Sequence, residues 1–347
     1  YEKMQPVAKD DIYDLASITK VAASTLTMMK LVDEGKIDVK QPMSKYLPLL
    51  KGTNKETLTV EEIMSHHAGL YAWLKFYLQT LTTDKTGTYP SPNYYSQVQN
   101  ADFSIPVTEK MFLKTGFPDS MYQQIAASNL RENKNYKYSD LGFFLIARLI
   151  KEQTGMTEDE YVQKNFYQPM GLKNISYKPW EKFSMSRIPP TEVDTYFRKQ
   201  KIQGYVHDMG ASMLGGVSGH AGLFSDARDL AALFQMFVND GMYGGKQYIS
   251  PKTIKQFATR YVYSTRRGIG FDMKELSANH LQNVCASAPE TTFGHTGFTG
   301  TCVWADPENK IVYVFLSNRT FPDMDNNKMN KLDYRMKIQQ VIYDAMR

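Results

Sequence analysis

The last quarter of the chain limits its fold more than any other stretch. Residues 293–306 and 311–317, the latter reading Ile-Val-Tyr-Val-Phe-Leu-Ser, are dense in aromatic and β-branched residues and flank the turn Pro307-Glu308-Asn309-Lys310. That pattern predicts an antiparallel hairpin. Two strands bury too little to stand alone in water, so the chain has to find partner strands for them. Residues 265–273 are one candidate. Others are expected upstream of Tyr1: the chain opens Tyr1-Glu2-Lys3-Met4, with neither an initiator methionine nor a charged-then-apolar leader, and reads as a piece of something longer.

The rest of the sequence is largely helical. Residues 15–35 carry Val21, Leu26, Met28, Leu31 and Val32 at helical spacing with Gly35 as a stop, which predicts one amphipathic helix. Further helices are expected over 58–64, 139–154, 161–166, 226–239 and 331–346, and from Pro251 with Ser250 as its cap. Residues 71–117, rich in Tyr, Thr, Pro and Gly, read as loop with short helices. The fold class is therefore α+β: an antiparallel sheet flanked by N- and C-terminal helices, plus a helical lobe. In this reading residues 1–55 join 260–347 as a sheet-and-helix domain, and 56–259 form the lobe.

Composition excludes several functions. The 347 residues are 42% hydrophobic and 22% charged, and 41 Lys and Arg stand against 36 Asp and Glu without basic runs, which argues against nucleic acid as a partner. No stretch approaches the roughly 18 apolar residues of a membrane span, and the mean hydropathy is −0.45. The two cysteines, Cys285 and Cys302, either pair or are small buried hydrophobes, the second being favoured. The six histidines show no H-E-x-x-H spacing, so no metal or other cofactor is expected, and no G-x-S-x-G nucleophile elbow occurs.

Three short segments bear chemistry. Ser17-Ile18-Thr19-Lys20 is the only S-x-x-K, and a spacing of three places the hydroxyl and the amine on one helical face. An amine so placed can activate a serine, and a helix N-terminus offers free N–H groups to an oxyanion. Alone the motif is weak, because a chain of this length holds about one by chance. Tyr138-Ser139-Asp140 precedes a helix, where the bland reading is an N-cap beside one of 23 tyrosines. His295-Thr296-Gly297 opens a strand, where a histidine is usually structural and the glycine permits close approach of a ligand. His66, His67 and His220, each near a glycine, are more often structural hydrogen-bonders than catalytic groups.

Together and in this order the three segments resemble the motifs of the serine penicillin-recognising superfamily: S-x-x-K, then Y-x-N or a variant, then K-T-G or H-T-G. The tyrosine in second place resembles the branch of class C β-lactamases, D-aminopeptidases and carboxylesterases, and His66-His67-Ala68-Gly69-Leu70 and Gly219-His220-Ala221-Gly222 agree with it. The resemblance covers essentially the whole chain. It is nearest to the β-lactamase-like domain that follows a family 3 glycoside hydrolase domain in some bacterial proteins, which implies a possible fused N-terminal glycosidase and a periplasmic or cell-envelope location.

The resemblance implies a β-lactamase/transpeptidase-like fold and a serine hydrolase. Ser17 would be the acylated nucleophile, Lys20 and Tyr138 the base and proton shuttle, and the backbone N–H groups of Ser17 and Phe298 the oxyanion hole. Asp140, His220, His295, Thr296 and Gly297 would line the substrate, and residues 71–95 would cap the cleft and select apolar acyl groups or pack on a neighbouring domain. Two departures bear on the substrate. Asp140 replaces an amide donor with a carboxylate which, if turned toward Lys20, favours the ammonium and leaves Tyr138 as main base. His295 replaces lysine and removes a permanent cation. Both departures favour esters or amides without a free carboxylate at that spot; the expected substrates are small esters, amides or peptidoglycan-related molecules, with carboxylesterase or D-aminopeptidase/amidase activity and weak or no β-lactamase activity. The alternatives are a non-catalytic domain that binds cell-wall fragments, and a true class C-like β-lactamase or DD-peptidase.

Overall fold

The computed structural model describes residues 6–346, so the opening Tyr1-Glu2-Lys3-Met4 lies outside the described residues. Strand β1 (Tyr13–Asp14) leads into a 3₁₀ turn (Ala16–Ile18), a π-helical stretch (Lys20–Thr25) and helix α1 (Leu26–Asp33). This corrects the single amphipathic helix expected over 15–35. Every residue from Lys20 to Met29 is buried, so the rod is covered on all sides and runs through the core rather than over it. Gly35, at φ +68°, ends it as expected.

Helix α2 (Val60–Met64) is set by a capping box in which Thr59 and Glu62 satisfy each other's backbone N–H groups. Residues 71–117 hold more strand than the loop reading allowed. Leu81–Asp84 pairs with Gly87–Pro90, and Met111–Leu113 lies between Tyr95–Ser96 and Ile105–Thr108, because Thr, Tyr and Val side chains pair across turns too local to show as long periodic runs. Helix α3 (Leu141–Thr154) follows, ended by Gly155 in the left-handed conformation.

A small antiparallel sheet places the front of the chain. Strand β2 (Ser176–Tyr177) and β1 both pair with β3 (Leu223–Ser225), with Tyr13 opposite Ser225 and Asp14 opposite Phe224. Helices α4 (Ala227–Val238) and α5 (Pro251–Phe257) then start where Asp226 and Ser250 accept first-turn N–H groups.

The predicted hairpin belongs to a four-stranded antiparallel sheet in the order β4 (Asp272–Met273), β5 (Phe293–Thr296), β6 (Cys302–Asp306), β7 (Ile311–Phe315). The partner expected in 265–273 is β4. The arm 293–306 is two strands rather than one, reversed at residues 297–301. Glycine causes the reversal: Gly300 has φ +97°, and a Cβ at Gly297 would collide with the Leu15 carbonyl oxygen.

Alternation along the sheet feeds two cores. One face packs on α4, where Phe237 and Phe271 meet Phe293 edge-on at centroid distances of 6.2 and 4.9 Å. Burial of each such ring contributes about 1.5–3 kcal/mol, enough to hold the helix on the sheet without polar contacts. The other face presents Cys302, Trp304 and Tyr313 to Tyr343 of helix α6 (Tyr334–Asp344), in a cluster that also holds Cys285. Both cysteines are free and buried, as favoured from the sequence. Among the described residues no helix is long and apolar enough to cross a membrane.

Candidate active site

Ser17 sits where the two sheets meet. Leu15 N–H donates to the Leu223 carbonyl at 3.0 Å, while the hydroxyls of Thr299 and Thr301 donate to the carbonyls of Asp14 and Leu15 at 2.7 and 3.2 Å. The 14–15 backbone is thus fixed from both sides. Ala16 then adopts φ +47°, an unusual value for a residue with a Cβ and one that costs about 1–3 kcal/mol. Buried Asp14 holds it there by accepting from the N–H groups of Ala16 and His207 at 2.8 and 2.7 Å. The next residue, Ser17, is half-buried between fully buried neighbours.

Lys20, one turn on, is completely buried. Its Nζ lies 2.9 Å from Ser17 Oγ, 3.1 Å from the His220 carbonyl oxygen and 2.7 Å from Asp140 Oδ1. Three acceptors match the three N–H bonds of an ammonium. Burial pulls the lysine pKa down, but the charge of Asp140, the neighbouring Tyr138 and the hydrogen bonds to both together more than offset it, and the net shift is upward. Tyr138 Oη lies 2.8 Å from Ser17 Oγ. Burial raises its pKa, Lys20 opposes that and Asp140 adds to it, so the resting phenol keeps its proton. The structure thus brings Ser17, Lys20, Tyr138 and Asp140 together, with Asp140 turned toward Lys20, the orientation that favours the ammonium.

Tyr138 is held by a segment that the motif reading undervalued. Ser139 N–H donates to His66 Nδ1 at 3.2 Å, Ser139 Oγ to the Tyr71 carbonyl at 2.6 Å, and Asp140 N–H to the Ala72 carbonyl at 2.9 Å. The His66 ring packs on Tyr138 with centroids 4.6 Å apart. His66 is a structural hydrogen-bonder, as expected, and it braces Tyr138.

His295 is buried, and burial first, then Arg267, lowers its pKa to about 3, so it is neutral at physiological pH. Arg267 Nη1 donates to its Nε2 at 3.2 Å, which leaves Nδ1 to donate to the Thr296 carbonyl at 2.6 Å. Both nitrogens are engaged away from Tyr138. His295 thus supplies no permanent cation, as expected, but Arg267 beside it does. A cleft of about 480 Å³ runs from Ser17, Tyr138 and Thr296 to Arg267, Arg319 and Arg335. Asp272 pairs with Arg266 at 2.6 Å and lies 3.7 Å from Arg267. Among the described residues no carboxylate pairs with Arg319 or Arg335. These cations escaped the sequence reading because they come from three distant segments; the adjacent Arg266 and Arg267 in a strand-like stretch were the available signal.

On the opposite side of Ser17 lies a cavity of about 460 Å³, walled by Trp73, Leu74, Tyr77, Phe144, His220 and Phe298. Residues from 71–95 do wall the cleft. His220 both lines it and bonds structurally: its ring stacks on Phe144 at 4.2 Å, its Nε2 lies 2.8 Å from Asp208, and its carbonyl takes Lys20. Ser17 and Phe298 border both spaces, and Gly297 forms the tight turn between them.

A family model described as Beta-lactamase matches residues 1–335. A Salmonella typhimurium strain LT2 protein named D-alanyl-D-alanine carboxypeptidase is 34% identical over 339 residues, covering 92% of this chain and 72% of that protein. Among solved structures, a penicillin-binding protein homolog from Caulobacter crescentus matches with TM-score 0.64 and 18% identity, over 91% of this chain and 80% of the other. The D-amino acid amidase from Ochrobactrum anthropi SV3 matches with TM-score 0.63 and 14% identity, over 99% and 87%. The two structural matches establish likeness of fold.

Proposed function

The chain belongs to the beta-lactamase family, and from that membership we propose that it hydrolyses amides or esters through an acyl-enzyme on Ser17, acting on D-alanyl-D-alanine-type peptides with a free carboxylate. The observation that carries this reading is the convergence of Lys20 Nζ and Tyr138 Oη on Ser17 Oγ at 2.9 and 2.8 Å. In the competent form Lys20 remains an ammonium and Tyr138 has lost its proton. Ser17 Oγ attacks the carbonyl carbon as its proton passes to Tyr138 Oη. The oxyanion is met by the N–H groups of Ser17, in the first turn of its helix, and of Phe298. Collapse breaks the bond to the leaving group, which takes the proton back from Tyr138. Water then attacks the acyl ester by the same route and restores Ser17.

The arginine-lined cleft supports a carboxylate on the substrate, and the aromatic cavity supports an apolar group on the other side of the scissile bond. Both the curated relative and the amidase carry names that describe D-configured amide substrates. This substrate class suits the periplasmic or cell-envelope location expected from the resemblance.

A charge-assisted hydrogen bond to carboxylate contributes about 1.5–3 kcal/mol, roughly 10–100-fold. A peptide ending in D-alanyl-D-alanine is therefore expected to exceed its C-terminal amide in kcat/KM by at least about 10-fold, and Arg267→Gln to erase most of that margin. Equal rates for acid and amide, beside faster turnover of p-nitrophenyl butyrate, would overturn the carboxylate preference in favour of an esterase.

A further inference from the structure

Glu158 is buried and takes no part in the chemistry above, yet it touches the frame of Lys20. It opens the helix Glu158–Val162, where Thr157 and Glu160 form the capping box and leave Glu158 free to point inward. Its Oε1 lies 2.6 Å from Ser24 Oγ, one turn beyond Lys20, and Ser24 Oγ lies 2.8 Å from the Gly219 carbonyl oxygen. Ser24 has one hydroxyl proton and a carbonyl can only accept. If that proton lies toward Gly219, the 2.6 Å contact needs a hydrogen from Glu158.

The surroundings agree. Tyr122, Tyr167 and Tyr177 face the carboxyl from the helix 117–127, the stretch 163–167 and β2, and the neighbouring Asp159 is taken by Lys178 at 3.0 Å. Four residues before Ser24 in the chain, the Lys20 ammonium is already shared among three acceptors. Among the described residues no cation pairs with Glu158, and burial raises its pKa to about 7. Position 219 also has no room: a Cβ would collide with the Phe143 carbonyl oxygen and lie 2.8 Å from Ser24 Oγ.

We propose that Glu158 and Ser24 are positioning residues for the acyl-transfer site: neutral Glu158 donates to Ser24 Oγ, Ser24 donates to Gly219, and the Gly219–His220 peptide is thereby fixed with its next carbonyl on Lys20. Loss of the Glu158 proton turns the Ser24 hydroxyl toward the carboxylate, frees the Gly219 carbonyl and loosens the His220 contact to Lys20. The inference rests on the reading of Lys20 as part of the catalytic cluster.

The test compares wild type, Glu158→Gln and Ser24→Ala. In Glu158→Gln the side-chain amide donates to Ser24 at every pH, so the kcat/KM ratio of this variant to wild type is expected near 1 at about pH 5.5 and to climb to about 5 or more at about pH 9. Ser24→Ala is expected to lower kcat about 10-fold with little change in KM. A ratio that stays flat with pH overturns the proposal. The Tm supplies a readout independent of activity: an acid whose folded pKa exceeds its unfolded one loses stability as pH rises from about 4.5 through 7, so wild type should drop by about 5 °C relative to Glu158→Gln between about pH 5 and 8. No relative drop means that Glu158 is already ionised, which also overturns the proposal. A drop without acylation of Ser17 keeps the protonated Glu158 and removes its role in positioning, together with the hydrolase reading.

Discussion

Ser17→Ala is expected to lower kcat/KM on a D-alanyl-D-alanine peptide by at least about 10⁴-fold while leaving the fold intact. The side chain is half-buried and its hydroxyl is the point where Lys20 and Tyr138 converge, so its removal deletes the reaction path and little packing. Residual turnover would come from oxyanion stabilisation and binding alone. Tyr138→Phe keeps the ring against His66 and removes only the proton acceptor, for an expected loss of about 10²–10⁴-fold. Because the two groups act in one step, the double variant should be little worse than Ser17→Ala, and steady-state kinetics with circular dichroism as a folding control check both values. A Ser17→Ala protein within about 10-fold of wild type would exclude the acyl-enzyme.

Asp140→Asn is expected to move the acidic limb of kcat/KM to lower pH by about 1–3 units. The carboxylate lies 2.7 Å from Lys20 Nζ, where it stabilises the ammonium, and it also disfavours the Tyr138 phenolate. The second effect holds on Tyr138 the proton that the competent form has to lose, while the ammonium is kept in that form. Asparagine removes the charge but retains an oxygen for the lysine, so the competent form is populated at lower pH and the limb shifts downward. Asp140→Ala would instead leave the fully buried Lys20 without its ion partner, at a cost of about 3–5 kcal/mol of stability. A pH–rate profile for Asp140→Asn that overlays wild type would show that Asp140 does not tune the base.

What was legible in the sequence was local. The Ser17–Lys20 spacing is one helical turn, the cap at Ser250 is signalled by the proline that follows it, and the Ile-Val-Tyr-Val-Phe run pairs with its neighbour across a short turn. Errors arose where long-range packing overrode a local pattern. Residues 15–35 have a helical period, yet burial on all sides and clamps from Leu223, Thr299 and Thr301 wind their first turns as 3₁₀ and π. At the site, the residue types of the three motifs were visible but the charge around them was not. His295 is neutral, but Arg267, Arg319 and Arg335 bring charge to the cleft from a loop, the turn beyond the last strand and the C-terminal helix. No motif marks Glu158, because Ser24 and Gly219 come against it only in the fold.

The central claim is that Ser17 becomes acylated. Intact-mass measurement after exposure to a fluorophosphonate or a penicillin, followed by peptide mapping, tests it most directly. The expected result is one adduct per chain, on the peptide carrying Ser17 and absent from Ser17→Ala. A wild-type protein that stays unmodified under conditions where a known serine hydrolase reacts, or an adduct that persists in Ser17→Ala, would contradict the account; the unmodified protein would favour a fold kept for binding alone.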